Sequence, residues 1–158
     1  HSIWTEYPAI WSGENRTEHD DMVLTVTAEQ LSDTSLSGYG VMCRVDPDNL
    51  EDGYAFLIRG DGFYTVGYWE NNEYTSFVEG DDESIWDSAD AINEGEAINQ
   101  ITVVCVDDYL AFYANGDLIF ETEDDTFDEG YTAMAVVAFN DEEIEVAFDN
   151  LVIWEADN

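Results

Sequence analysis

Apolar and polar positions alternate with period two along most of this chain, and turn-forming residues interrupt the alternation at short intervals. That rhythm predicts strands at SIWTEYPAIW, MVLTVTAEQ, YGVMCRV, YAFLIR, FYTVGYW, EYTSFV, ITVVCV, YLAFYA, DLIFET, YTAMAVVAF and EIEVAFDNLVIW. Between them lie DPDNLEDG, GDG, ENNE and NDEE, which read as turns. The clearest hairpin is YLAFYANGDLIFET, where Asn115 and Gly116 suit the two φ > 0 positions of a type I′ turn. No long segment carries a helical stripe, and SIWDSADAINEGEAINQ reads mainly as a long loop. Many short strands and almost no helix predict an all-β fold, an antiparallel β-sandwich. The length of 158 residues, without an internal repeat or linker, predicts one domain over 1–158.

Charge changes the picture of the partners. Asp and Glu total 38 against three basic residues, all Arg (Arg16, Arg44 and Arg59), for a formal charge of −35. Such a surface repels nucleic acid and anionic membranes, because phosphates are neutralised by Lys and Arg. It also repels itself, which favours solubility but opposes compaction unless cations screen it. The medium implied is salty or rich in calcium. The 45% hydrophobic and 14% aromatic content excludes a disordered acidic tail. No apolar run approaches the roughly 20 residues of a membrane-spanning helix, so no membrane insertion is expected. The stretch ETEDDTFDEG, residues 121–130, places six carboxylates in ten positions. It reads either as a cation-binding loop or as a solvated turn in a chain acidic throughout.

Cys43 and Cys105 lie in alternating apolar stretches, VMCRV and VVCVD. Two buried thiols and one strand-to-strand disulfide both fit that setting. Asn15-Arg16-Thr17 is an N-x-[ST] sequon, making Asn15 a glycosylation acceptor if the chain is secreted by a glycosylating cell. His1 in place of Met marks a processed chain or a fragment.

From Tyr39 to Trp154 an ordered series of segments appears: YGVMCRVDPDN, YAFLIRGDGFYTVGYWENNEYTSFV, the loop through Ala91, Ile92 and Gly95, ITVVCVDDYLAFYANGDLIFETEDDTFDEG and EVAFDNLVIW. Together they resemble the concanavalin-like or laminin-G-like jelly-roll modules of secreted and surface proteins, over roughly three quarters of the chain. The resemblance implies two antiparallel sheets, one concave, an extracellular or cell-surface location, and non-catalytic sugar binding or adhesion. It also implies a strand-to-strand pair between Cys43 and Cys105. For ETEDDTFDEG it implies an ordinary connection, with Phe127 as inward anchor and Gly130 as the turn into the next strand.

Relatives of that kind begin with an additional segment and strand, whereas only His1 to Tyr7 precede PAIWS here. A vacant strand position invites strand addition, and with it a homo-oligomer or homo-polymer; alternatively His1 to Tyr7 fills the position itself.

Candidate binding residues follow from the aromatic content. Tyr54, Tyr64, Tyr68, Trp69 and Trp86 are expected as a glycan platform with Arg44 and Arg59 as hydrogen-bonding arms. The alternative is that the aromatics pack in the sheets and each Arg pairs with a carboxylate. The jelly-roll resemblance implies a calcium ligand at Asp149 on the last strand, which makes a calcium-dependent lectin-like module an alternative; a hydrogen-bond acceptor is the plainer role for Asp149. DPDNLEDG lacks EF-hand spacing.

Enzyme readings are weaker. In EIEVAFD, Glu145 stands where laminarinase-type glycosidases carry their central Asp, and Ala147 where they carry the second Glu. A copper oxygenase would need the amine and ring of His1 together with His19, and nothing else in the chain resembles one. No catalytic residue is assigned, and no cofactor beyond calcium is expected.

Overall fold

The computed structural model describes residues 2–5, 9–11, 22–31, 38–45, 52–70, 73–78, 86–94, 97–127, 131–137 and 144–155. They form thirteen strands: β1 (Ser2–Thr5), β2 (Ala9–Trp11), β3 (Met22–Gln30), β4 (Gly38–Val45), β5 (Gly53–Arg59), β6 (Phe63–Glu70), β7 (Glu73–Ser76), β8 (Asp87–Ser88), β9 (Ile98–Val106), β10 (Tyr109–Ala114), β11 (Asp117–Glu123), β12 (Tyr131–Val137) and β13 (Ile144–Glu155). They build two antiparallel sheets. The six-stranded sheet runs β1-β13-β3-β9-β10-β11; the seven-stranded sheet runs β2-β12-β4-β5-β6-β7, with β8 paired to β6. Among the described residues, each run predicted from the alternation contributes a strand, and the long loop contributes the two-residue β8 before β9 begins.

Alternation determines the core. On β3, Met22, Leu24, Val26 and Ala28 are buried while the residues between them are half exposed. The inward positions of the facing sheet are Tyr39, Val41 and Cys43 on β4, Tyr54, Phe56 and Ile58 on β5, and Tyr64 and Val66 on β6. Aromatic rings join the two layers: Phe112 of β10 packs edge-on to Phe56 at 5.7 Å and to Tyr64 at 6.5 Å between centroids. Cys43 and Cys105 form a disulfide that ties β4 of one sheet to β9 of the other.

The run SIWTEYPAIW divides between the sheets. β1 pairs with β13, from Ser2 opposite Ala147 to Thr5 opposite Ile144, and β2 pairs with β12. The edge position that the short N-terminal segment seemed to leave vacant is therefore occupied by Ser2–Thr5 of the same chain. The Asn115-Gly116 hairpin forms as expected, with φ of 53° and 88° at its two central residues. Asn115 also braces the neighbouring loop: its amide nitrogen donates to the Ala91 carbonyl at 2.6 Å and to Asn99 Oδ1 at 2.9 Å. Asn99 is buried and donates in turn to the Tyr39 hydroxyl at 3.2 Å. Burial pushes that phenol up to about 12, with the Asn99 bond acting the other way.

Candidate functional site

The seven-stranded sheet has an apolar outward face as well as an apolar inward one. Met42, Val45, Ala55, Leu57 and Trp86 form a second buried cluster there, and Phe63, Trp69 and Tyr74 pack against it half-buried. Two glycines permit this layer. A Cβ on Gly67 would lie 2.8 Å from the Tyr74 hydroxyl and 2.1 Å from the Thr75 carbonyl oxygen. At Gly38 a Cβ would meet the Trp86 ring at 3.0 Å. With hydrogen at both places, Tyr74 lies across β6 and Trp86 lies across β4.

Trp69 and Tyr74 are register partners on β6 and β7, with ring centroids 5.0 Å apart at 43°. The Tyr74 hydroxyl meets Thr65 Oγ1 at 2.9 Å, and Thr65 Oγ1 meets Ser76 Oγ at 3.3 Å. Burial raises the Tyr74 phenol well above its ordinary range, so it stays a neutral donor and acceptor; the Thr65 bond opposes that shift. At the end of the hairpin, exposed Glu70 and Glu73 stand directly opposite each other. At the other end of the face, Arg59 packs between two rings, its guanidinium carbon 4.6 Å from the Trp86 centroid and 5.0 Å from that of Phe63. Its Nε and Nη2 both donate to Asp61, closing a fork on the carboxylate.

The structure divides the seven platform residues among different places. Trp69, Trp86 and Arg59 belong to the outward face, although Trp86 is buried as part of its floor. Tyr54, Tyr64 and Tyr68 point the other way, into the core, because their strand parity is opposite to that of Phe63 and Trp69. Tyr54 is fully buried and Tyr64 nearly so, and neither can present a ring to a ligand on that face. Arg44 is also corrected. It has φ 54°, in a bulge where β4 carries one residue more than β12 between the pairs Val45–Tyr131 and Met42–Ala133. The extra residue breaks the alternation, so Arg44 follows Cys43 inward instead of joining Met42. There its Nη1 donates to the Phe127 carbonyl at 3.0 Å, which removes it as a ligand-binding arm.

That inward arginine belongs to a latch on ETEDDTFDEG. The Tyr54 hydroxyl donates to Asp124 Oδ1 at 2.7 Å and accepts from the Phe127 amide at 3.1 Å. Phe127 packs on the core, edge-on to the Tyr54 ring at 5.3 Å. Asp124 Oδ1 also accepts from the Thr126 amide at 2.8 Å. Burial alone would raise the Asp124 carboxyl, but the bonds from Thr126 and Tyr54 outweigh it and hold the group below its ordinary value. Within the described part of the stretch, Asp124 and Phe127 serve as anchors; Gly130 lies outside the described residues.

Asp149 is exposed on β13, opposite Thr27 in the six-stranded sheet. Among the described residues no three His, Cys, Asp or Glu side chains gather as a metal site. Asn15, His1 and His19 lie outside the described residues. Residues 144–149 of EIEVAFD lie on β13, in the sheet opposite the aromatic outward face; Glu143 lies outside the described residues. Sequence reasoning missed Phe63, Thr65, Tyr74 and Ser76; the signal was the glycine inside FYTVGYW, which marks a close approach over the strand.

No protein family matches this chain, and no curated protein matches it in sequence. Solved structures do match in fold. The CBM66 carbohydrate-binding module from Bacillus subtilis superposes with a TM-score of 0.71 at 13% identity, covering 95% of this chain and 94% of that one. Sheep galectin-11 gives 0.63 at 10% identity, over 94% of this chain and 98% of the galectin. The beta-fructofuranosidase of Aspergillus kawachii gives 0.67 at 12% identity; 98% of this chain matches 26% of that enzyme. At these identities the fold is what is shared: the chain is a β-sandwich of the concanavalin-like jelly-roll fold.

Proposed function

We propose that this chain is a secreted, non-catalytic module that binds a neutral glycan against Trp69 and Tyr74 on the outward face of the seven-stranded sheet. The observation that carries the reading is the Trp69–Tyr74 pair, two half-exposed rings held in fixed register over a buried apolar floor. Sugar rings stack their C–H surfaces on such aromatic faces. Ser76 of β7 shares the parity of Tyr74 and sets a hydroxyl on the same face. The net charge of −35 disfavours uronic or sulfated chains and favours neutral ones. A carbohydrate-binding module and a galectin among the structural neighbours support the glycan reading, and the buried disulfide supports an oxidising, extracellular compartment. An adhesive role follows from glycan binding at a surface without catalysis.

The test is a glycan array in high salt, run with calcium and with EDTA, comparing the native chain with Trp69→Ala. Loss of the ring removes about 1 kcal/mol of stacking plus buried area, so affinity falls at least about tenfold while the circular dichroism spectrum is retained. Binding abolished by EDTA would make recognition calcium-dependent, and Asp149→Asn would then test whether the ion sits on the opposite sheet, away from the rings. No bound glycan, or equal binding by folded Trp69→Ala, overturns the proposal.

A further inference from the structure

Asn115 followed by Gly116 is a pair prone to modify itself. The Gly116 backbone nitrogen can attack Cγ of the Asn115 amide, because glycine puts no Cβ in the way. The Gly116 N–Cγ bond forms, the Cγ–Nδ2 bond breaks, and Nδ2 leaves as ammonia with the proton from the Gly116 nitrogen. Water then opens the cyclic imide at either carbonyl, giving aspartate or isoaspartate. Exposure does not withhold this reaction. Both residues are exposed, and a Cβ on Gly116 would meet nothing within 4 Å, so water and space are at hand. What withholds it is the bonding of the side chain. Nδ2 donates to the Ala91 carbonyl at 2.6 Å and to Asn99 Oδ1 at 2.9 Å, while Oδ1 accepts from the Gln100 amide at 2.8 Å. Asn99 and Gln100 lie on β9, to one side of β10, whereas Gly116 leads into β11 on the other. To present Cγ to the Gly116 nitrogen, the side chain must give up all three bonds.

We propose that Asn115-Gly116 is a modification site gated by the fold, closed while Asn115 is bonded to β9 and Ala91 and converted when the hairpin comes away from them. Conversion is one-way, and its products do not fit the place they leave. Aspartate sets a carboxylate oxygen against the Ala91 carbonyl and Asn99 Oδ1, two acceptors where an N–H group donated before. Isoaspartate adds a methylene to the main chain of a two-residue turn whose φ values are 53° and 88°. Either product unties the loop at Ala91. Through Asn99 the change reaches Asn93, whose amide donates to Asn99 Oδ1 at 2.8 Å, and the buried Tyr39 hydroxyl. The same segment carries Trp86, the floor of the aromatic outward face, and is tied to β6 through β8. One episode of opening in the six-stranded sheet therefore leaves a permanent mark beside the segment that completes the other. The site stands whether or not the outward face binds glycan.

The test incubates the full chain, disulfide intact, at one mildly alkaline pH and one high salt concentration, folded and in urea. Peptide mapping by mass spectrometry then separates asparagine, aspartate and isoaspartate at position 115. Conversion is expected to be at least about tenfold slower in the folded chain, since three bonds must open first. Asn99→Ala deletes one acceptor, and folded-state conversion rises about threefold or more with the rate in urea unchanged. Chain converted in urea and returned to native buffer melts about 3 °C or more below the unconverted chain, and residues 89–94 exchange their amide hydrogens faster. Equal conversion with and without urea overturns the gate, and that comparison needs only the native chain should Asn99→Ala fail to fold. A folded Asn99→Ala chain that converts at the native rate overturns it as well. A converted chain that regains the native melting temperature and exchange overturns the one-way mark.

Discussion

Replacing Tyr54 by Phe removes one oxygen from a buried position and leaves the ring packing unchanged. That oxygen makes a charge-assisted bond to Asp124 Oδ1 and receives the Phe127 amide. A bond to a charged acceptor contributes about 1.5–3 kcal/mol and a neutral one about 1 kcal/mol. Asp124 and Phe127 are only partly buried and regain some water in the variant, so the expected cost is about 2–3 kcal/mol. For a chain of this size that lowers the melting temperature by roughly 5–10 °C. The sign of the pH dependence follows from Asp124, whose carboxyl is held below its ordinary value in the folded chain. A depressed carboxylate contributes stability above its unfolded pKa and loses it as pH falls through the folded pKa. Tyr54→Phe deletes one of the bonds responsible, so its cost is complete at neutral pH and shrinks below about pH 4. Urea unfolding of both proteins at constant high salt, at neutral pH and in acid, measures this. A cost under about 0.5 kcal/mol, or one that is the same at both pH values, refutes the latch.

Three further outcomes are expected. Reducing the Cys43–Cys105 bridge, which spans 62 residues of sequence, lowers stability by about 4 kcal/mol on the chain-entropy account; unfolding midpoints unchanged by reductant would contradict it. Alkali destabilises the fold, because Tyr39 is pushed up to about 12 and Tyr54, Tyr64 and Tyr74 are also raised, chiefly by burial. Their stability contribution is complete below the unfolded phenol value near 10 and is lost as pH rises toward the folded values, so phenolate absorbance should appear together with unfolding; early, complete titration of all phenols in the folded chain would refute this. Stability rises with salt or added calcium because a charge of −35 opposes compaction, and equal melting temperatures in low-salt EDTA and in either addition would remove that argument.

The layer architecture was legible because each strand needs only a period of two, which survives in a single sequence. Met22 to Ala28 on β3 shows it clearly. The disulfide was legible only through a resemblance, since the separation of Cys43 and Cys105 across the sandwich is a tertiary quantity. The site was legible in part. Alternation assigns Tyr64 and Tyr68 to one face and Phe63 and Trp69 to the other, but it does not say which face is the core. Arg44 fails for a different reason: a bulge adds one residue, and parity reverses from that point. SIWTEYPAIW reads as one strand because nothing in a period of two distinguishes one long strand from two short ones in separate sheets.

The disulfide also governs how the molecule carries load. It closes residues 43 to 105 into a covalent ring, and the ring contains Arg59, Phe63, Trp69, Tyr74 and Trp86. Tension entering through β1 and leaving through β13 passes across the sulfur bridge, and the chain inside the ring cannot be drawn out while the bond is intact. Pulled from its two ends, the chain gives up the strands outside the ring first, and the segment that carries the aromatic face stays off the load path while they extend.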